Sequence, residues 1–141
     1  MIIVDSGFFY ACLDASDAHH ARAVGFLPSV AEGWITTWPV VTETTYLLQA
    51  RLGQDAATAF VAEVGEGSIH VWDIPQAAGQ RMAQLMAQYR KLPMDLADAS
   101  LLLLAEHLNH GRILTTDKRD FGAYRWKARK PFVDLMAGAG A

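Results

Sequence analysis

The chain has 141 residues, a hydrophobic fraction of 52%, a mean hydropathy of +0.12 and a formal net charge of −3. This length predicts one domain whose core is large enough to fold without disulfides or a structural metal. The single cysteine, Cys12, excludes an internal disulfide framework and is typical of a cytoplasmic protein. No apolar run in the sequence approaches the ~20 residues of a membrane-spanning helix, so we expect no membrane partner.

Predicted strands and helices alternate along the chain. In order, they are strand 1–4, helix 7–12, helix 18–27, strand 34–41, helix 43–52, helix 56–64, strand 68–74, helix 76–91, helix 95–108, strand 112–116 and strand 132–135. This alternation predicts an α/β fold, in which crossover helices connect the strands of a parallel sheet. We therefore expect a three-layer α/β/α domain with a small, mostly parallel central sheet of about five strands. The prediction places this single domain at residues 1–137 and a flexible tail at residues 138–141.

Several acidic residues occur at the ends of these elements, in separate segments of the chain. They are Asp5, Glu43, Asp98 and Asp117, with Asp95 three residues before Asp98. Carboxylates at the carboxyl ends of parallel strands lie where α/β folds bind their ligands. A pocket that offers oxygen ligands, with no cysteine or histidine cluster, suits Mg²⁺ or Mn²⁺. The sequence therefore predicts a metal-dependent phosphodiesterase.

Each of these acids also has a purely structural interpretation. Asp5 and Asp95 are suited to capping the helices that follow them, and Asp98 lies in capping-box register near the positive end of a helix dipole. Glu43 is favourable in the first turn of a helix, and Asp117 is suited to an Asx-turn. The metal-site interpretation depends on the combination, because like charges packed together repel one another unless a cation joins them.

Basic residues are concentrated near the C-terminus, where six of the twelve occur. They are Lys118, Arg119, Arg125, Lys127, Arg129 and Lys130. The segment is either a solvated loop or a surface that binds RNA phosphates, because basic side chains gain affinity there by releasing counterions. Trp126 within it either stacks on a base or packs against the protein. Trp34, Trp38 and Trp72 lie in predicted strands and are expected in the core.

Four short segments together carry a recognisable pattern. They are Ile-Ile-Val-Asp-Ser-Gly-Phe-Phe at residues 2–9, Thr-Glu at 42–43, Asp-Leu-Ala-Asp-Ala-Ser-Leu at 95–101 and Leu-Thr-Thr-Asp-Lys-Arg-Asp-Phe at 114–121. In this order they resemble the signatures of PIN domains, and most of all VapC-type toxins of bacterial toxin–antitoxin pairs. The resemblance covers essentially the whole chain. It implies an endoribonuclease that depends on Mg²⁺ or Mn²⁺, is usually dimeric and is inhibited by an antitoxin whose tail enters the acidic site.

The resemblance also implies roles for individual residues. The implied catalytic residues are Asp5, Glu43, Asp98 and Asp117, the implied metal ligands are Asp5, Asp98 and Asp117, and Asp95 is a further candidate ligand. Thr116 occupies the position of the small hydroxyl residue that often precedes the fourth acid. The six C-terminal basic residues would position the RNA backbone.

Two other functions are open at this point. The fold could serve as a non-catalytic regulatory or binding module, or as a housekeeping RNA-processing nuclease. A metal that raises the melting temperature favours an enzyme over a binding module. A small reading frame immediately upstream, encoding a DNA-binding protein, favours a toxin over a housekeeping nuclease.

Overall fold

The computed structural model describes residues 1–137, apart from the side chains of residues 28–30. The strands are β1 (Ile2–Val4), β2 (Trp34–Thr37), β3 (Ile69–Trp72), β4 (Arg112–Leu114), β5 (Arg125–Trp126), β6 (Lys130–Pro131) and β7 (Val133–Asp134). The α-helices are α1 (Ser6–Leu13), α2 (His20–Gly25), α3 (Trp38–Leu52), α4 (Gln54–Gly65), α5 (Gly79–Gln88), α6 (Leu96–Leu108) and α7 (Lys118–Ala123). Short 3₁₀ helices occupy Leu27–Glu32 and Gln76–Ala78. The predicted tail, residues 138–141, lies outside the described residues.

Five parallel strands form the central sheet, in the order β3-β2-β1-β4-β7. All three residues of the central strand β1 are buried, because helices cover both faces of the sheet. The chain builds outwards from β1 to β3 and then places β4 on the other side of β1. This reversal opens a crevice at the carboxyl ends of β1 and β4, which is where α/β folds bind ligands. The predicted α/β/α fold with a five-stranded sheet is confirmed.

Helix α6 lies at the centre of the protein and runs from the carboxyl ends of the strands to their amino ends. Its side chains are buried on nearly all sides, as expected for a helix without a polar face. Asp95 caps the first turn at the carboxyl edge of the sheet, and Asn109 ends the helix in a left-handed conformation (φ 60°) before β4 begins. The first turn of α6 therefore faces the crevice, and the last turn lies at the opposite edge.

The predicted strand 34–41 is wrong in its second half. The strand ends at Thr37, and α3 begins at Trp38 with Pro39 in its first turn. Proline is well accommodated there, since the first helical N–H groups have no partner within the helix. Thr42, directly before the predicted helix 43–52, lies inside α3, and its Oγ1 donates to the carbonyl oxygen of Trp38 at 2.9 Å. Glu43 consequently lies in the second turn of α3.

Two predicted helices are shorter in the structure. The helix predicted at residues 18–27 begins after His19, because Asp17 does not cap it but accepts the His19 N–H in a turn, at 2.8 Å. The helix predicted at residues 76–91 is a 3₁₀ turn followed by α5. It ends early because the carbonyl oxygen of Tyr89 accepts the N–H groups of Leu92 and Met94 in a turn.

The segment between β4 and β7 contains three elements that the sequence did not predict, α7 and the antiparallel pair β5 and β6. These elements are too short to show a hydrophobic period. Trp126 is buried here, and its Nε1 donates to the carbonyl oxygen of Pro131 at 3.0 Å. Its packing against the protein is thus confirmed. Trp38, by contrast, is 52% exposed, so its predicted core position is wrong.

No helix within residues 1–137 combines the length and apolar character needed to cross a membrane.

Candidate active site

Asp5 lies at the base of the crevice, directly after β1, and is 5% exposed. Its Oδ1 accepts the Ser6 N–H at 2.7 Å and so caps α1, while its Oδ2 accepts the Thr115 hydroxyl at 2.9 Å. Asp5 therefore caps α1, as predicted, and its carboxylate also faces other acids. Burial, with Asp117 and Asp95 nearby as negative charges, raises the pKa of Asp5 to about 6.

Glu43 reaches the same crevice from the second turn of α3. Its Oε1 accepts a short hydrogen bond from the Ser6 hydroxyl, which also lies 3.4 Å from Asp5 Oδ1. Ser6 therefore links Asp5 with Glu43, which follows Ser6 by thirty-seven residues in the chain. Burial raises the pKa of Glu43 to about 7, and Asp95 within hydrogen-bonding reach adds to this effect. Ser6 was not predicted as a site residue. Its only signal in the sequence was a hydroxyl group directly after the first acid.

Asp95 and Asp98 differ in their surroundings although both lie at the start of α6. Asp95 is exposed and accepts the Asp98 N–H at 2.9 Å, as the predicted cap of this helix. Asp98 is half-buried, and its Oδ2 accepts the hydroxyl of the fully buried Tyr124 at 2.7 Å. Burial, with Asp5, Asp95 and Glu43 as neighbouring negative charges, raises the pKa of Asp98 to about 8. Sequence gave no signal for Tyr124, which follows Asp98 by twenty-six residues.

Asp117 approaches the crevice from the loop after β4. Its Oδ1 accepts the Asp120 N–H at 3.0 Å, so that it caps α7 instead of forming an isolated Asx-turn. Its own N–H donates to Thr115 Oγ1 at 3.0 Å. Thr115 thus connects Asp5 with Asp117 through hydrogen bonds. The resemblance had drawn attention to the next residue, Thr116. Asp120 is a further acid beside Asp117. Burial and the neighbouring Asp117 raise the pKa of Asp120.

Gly7 allows the loop after β4 to lie directly against α1. A Cβ atom at position 7 would overlap the hydroxyl oxygen of Thr116. The glycine therefore lets the chain bring Asp5 and Asp117 to the same crevice.

The structure therefore brings the predicted acids together from four segments. Asp5, Glu43 and Asp98 each have a pKa raised by burial and by at least one other acid of the group. Such a group is stabilised either by protons or by a cation.

The donor atoms of this group fit a hard divalent cation. All are carboxylate oxygens, which are the ligands that Mg²⁺ and Mn²⁺ prefer. Glu43 lies within hydrogen-bonding reach of Asp95, and Asp117 within reach of Asp120, so that a proton or a cation between them relieves the repulsion of each pair. Among residues 1–137, no three acidic, histidine or cysteine side chains are grouped closely enough to hold an ion by themselves.

The basic residues do not form one strip beside the acids. Lys118 and Arg119 are exposed in the first turn of α7, next to Asp117. Lys127 instead contacts the last turn of α6, where its N–H donates to Glu106 at 2.6 Å. Glu106 follows Asp98 by eight residues, which is about 12 Å along a helix axis.

The other basic residues lie with Lys127 or are held by the backbone. Lys130 stands 5.1 Å from the centre of the Trp126 ring, and Arg129 is exposed in the same hairpin. Arg125 donates to the carbonyl oxygens of Gly122 and Tyr124 at 3.0 and 2.9 Å. RNA binding by all six residues stays a prediction, and the two that adjoin the acids have the most direct access to a bound phosphate.

Comparison with known proteins agrees with this geometry. The profile of the PIN domain family matches residues 2–127. Ribonuclease VapC26 of Mycobacterium tuberculosis is 30% identical over 124 residues, which span 88% of this chain and 92% of that protein. The crystal structure of VapC20 of Mycobacterium tuberculosis, described as a sarcin–ricin loop cleaving toxin, has the same fold, with a TM-score of 0.78 and 22% identity over 84% of this chain and 92% of that one. The chain belongs to the PIN domain family and is a VapC-type member of it.

Proposed function

We propose that this protein is an endoribonuclease that hydrolyses RNA phosphodiester bonds at the acidic crevice with Mg²⁺ or Mn²⁺. The observation that carries this proposal is the convergence of carboxylates from four separate segments on one crevice, where burial and neighbouring acids raise the pKa values of Asp5, Glu43 and Asp98. The family membership and the ribonuclease named among the relatives support the same activity.

In this mechanism Asp5, Asp98 and Asp117 would hold the ion, with Asp95 as a further candidate ligand. When bound, the ion withdraws charge from the phosphate oxygens and makes a nearby water more acidic. Glu43, whose Oε1 accepts from the Ser6 hydroxyl, would receive the proton of the attacking water on its carboxylate. As the water oxygen bonds to phosphorus, the ester bond to the leaving ribose oxygen breaks. That oxygen takes up a proton from solvent, and Glu43 releases the proton that it received.

Asparagine substitutions separate this function from helix capping. Asn caps a helix about as well as Asp, so Asp5→Asn and Asp117→Asn retain the caps but lose a charged ligand. We expect the Asp5→Asn and Asp98→Asn proteins to cleave RNA roughly 100-fold or more slowly, since even an outer partner of a metal ligand is worth about 10–100-fold. Asp55→Asn, in the exposed first turn of α4, is the matched control.

The measurement is cleavage of total RNA by the purified protein, with and without chelator, followed by mapping of the cut ends. Wild-type rates in both the Asp5→Asn and Asp98→Asn proteins would refute the proposal. In that case the cleavage would not depend on these acids, and Asp5 would act only as a helix cap.

The biological role we propose is that of a toxin paired with an antitoxin protein, acting as a homodimer in the cytoplasm through one nuclease domain at residues 1–137. The VapC name of the relatives supports the toxin role. Expression of the wild-type protein is expected to arrest growth, and Asp98→Asn to relieve the arrest. Co-expression of the neighbouring upstream gene should also relieve it if that gene encodes the antitoxin. Growth that continues despite active, RNA-cleaving protein would favour a housekeeping nuclease.

A further inference from the structure

A groove of about 600 Å³ extends from the acidic crevice along α3 and the start of α6. Glu43 and Asp95 line the end that it shares with the acids. The remaining lining residues are mostly apolar or aromatic: Trp38, Pro39, Thr42, Tyr46, Leu96 and Ala97. The groove is thus continuous with the candidate active site but chemically different from it.

Two aromatic side chains dominate this groove, and both are unusually exposed. Trp38 is 52% exposed and Tyr46 is 70% exposed. Together with Thr42 they are spaced by four residues along α3, so the three side chains lie on one face of the helix. Leu96, 48% exposed, adds to the apolar surface from the start of α6. Exposed apolar surface of this extent next to a site of chemistry marks a place where a ligand binds.

The charge of the groove selects the part of a nucleic acid that can enter it. The lining has no lysine or arginine, and its two charged residues are acids that repel phosphate. What the groove offers is the flat face of an indole and of a phenol, on which a nucleobase of any sequence can stack. In a duplex both faces of a base are covered, so only an unpaired base can stack in this way.

The sheet order places this groove and the exposed basic pair on opposite sides of Asp5. Helix α3 follows β2, and Lys118 and Arg119 follow β4, with β1 between these two strands. Strands two apart in a sheet are about 10 Å from each other. An RNA strand that crosses the acids would therefore have phosphates beside the basic pair on one side and bases beside α3 on the other.

We propose that Trp38 and Tyr46 form a stacking subsite for the nucleobases next to the scissile phosphate. This inference rests on the proposed nuclease function and names the residues that bind the bases of the substrate.

The test compares two probes, an oligouridine and the same ribose–phosphate chain without bases, titrated against the full-length protein in chelator to prevent cleavage. Trp38→Ala and Tyr46→Ala are each expected to weaken oligouridine binding roughly 5- to 100-fold, the range for loss of one stacked base. Binding of the base-free chain should not change. Trp38→Phe should restore part of the loss, and Leu52→Ala, 43% exposed on the same helix, is the control.

Three outcomes would overturn the inference. The first is unchanged oligouridine binding in both alanine variants, and the second is equal loss for both probes. The third is an alanine variant whose sedimentation differs from that of the wild-type protein while its RNA binding is the same. This result would show that a second protein chain covers the groove.

Cleavage assays on the same proteins distinguish this inference from the proposed function. Wild-type protein that cuts RNA, with Trp38→Ala and Tyr46→Ala proteins that retain its KM and kcat, would leave the nuclease in place and remove the subsite. Wild-type protein that binds bases through Trp38 but cuts no RNA would remove the nuclease and leave the subsite.

Discussion

At the scale of single residues, Tyr124 shows how an acid of this site is held. Its hydroxyl is the hydrogen-bond donor to Asp98 Oδ2, and its ring is fully buried. Burial, with Asp98 as the adjacent negative charge, raises the pKa of Tyr124, so the phenol keeps its proton and goes on donating. Since one oxygen of Asp98 is held in this way, the orientation of the whole carboxylate is restricted. Tyr124 is a positioning residue, because it acts through Asp98.

We expect Tyr124→Phe to weaken Mg²⁺ or Mn²⁺ binding about 10–100-fold, as loss of an outer partner of a metal ligand does. The KM for RNA should change little, since Tyr124 is buried beneath the acids. Isothermal titration with the metal and steady-state cleavage kinetics measure these two effects.

Tyr89→Phe provides the matched control. Tyr89 packs edge-on against Tyr124, and its hydroxyl accepts the N–H of Arg125 at 3.1 Å. This variant loses a hydrogen bond worth about 1 kcal/mol of stability but none to an acid. Equal loss of metal affinity in both variants would mean that Tyr124 only supports the packing.

At the scale of elements, prediction succeeded where an element is apolar throughout and failed where composition favoured the wrong element or the element was very short. The buried helix α6 and the apolar strand β1 were predicted almost to the residue. Residues 38–41 were misassigned, because Val40 and Val41 favour a strand by composition but lie in the buried first turn of α3. The residues of α7 and of the β5–β6 hairpin depend on tertiary contacts that no local pattern contains.

The hairpin is fixed to the amino edge of the sheet by close packing at Gly111. A Cβ atom at this position would lie 2.5 Å from Trp126 Nε1 and 3.2 Å from the Cα atom of Phe132. We expect Gly111→Ala to destabilise the protein by about 1–3 kcal/mol, the usual cost of overpacking a core. Urea denaturation followed by circular dichroism measures the change.

Gly122→Ala is the control for this substitution. No atom of the described residues lies within 4 Å of a Cβ at position 122, which is within α7. Alanine should therefore leave stability unchanged or raise it by up to about 1 kcal/mol, because it favours a helix more than glycine does. Similar destabilisation in both variants would mean that the packing around Gly111 has no special role.

At the scale of the whole molecule, the acidic group links stability to pH. The pKa of Asp98 is about 8 in the folded protein against an ordinary value of 3.8, so the folded state binds more protons than the unfolded state between these pH values. Its contribution to stability is therefore complete below pH 4 and is lost as the pH rises through 8. Glu43 and Asp5, with pKa values of about 7 and about 6, act in the same direction.

In chelator, we expect the melting temperature to fall as the pH rises from 5 to 9. Saturating Mg²⁺ should offset most of this fall, because a cation replaces the protons between the carboxylates. Asp98→Asn should flatten the pH dependence, whereas Asp55→Asn should not. A melting temperature that rises over this pH range, in chelator, would contradict the assignment of a crowded acidic group. Differential scanning fluorimetry at each pH measures these effects.

Much of the candidate site was visible in the sequence, because its acids lie at the ends of elements whose order determines the fold. The partners of those acids were not visible. Ser6, Thr115 and Tyr124 hold Glu43, Asp5 and Asp98 through hydrogen bonds that span thirty-seven, one hundred and ten and twenty-six residues. Such contacts exist only once the sheet has formed, so periodicity and spacing carry no trace of them.

Gly7 has a consequence for how this protein can diverge. Since the Thr116 hydroxyl occupies the space of a Cβ atom at position 7, a side chain at position 7 depends on what stands at position 116. A relative with alanine or a larger residue at position 7 needs a smaller residue in place of Thr116, a rotated Thr116 side chain or a displaced backbone on one flank of the crevice. An alignment of many relatives should accordingly show these two positions co-varying, with glycine kept wherever threonine is kept.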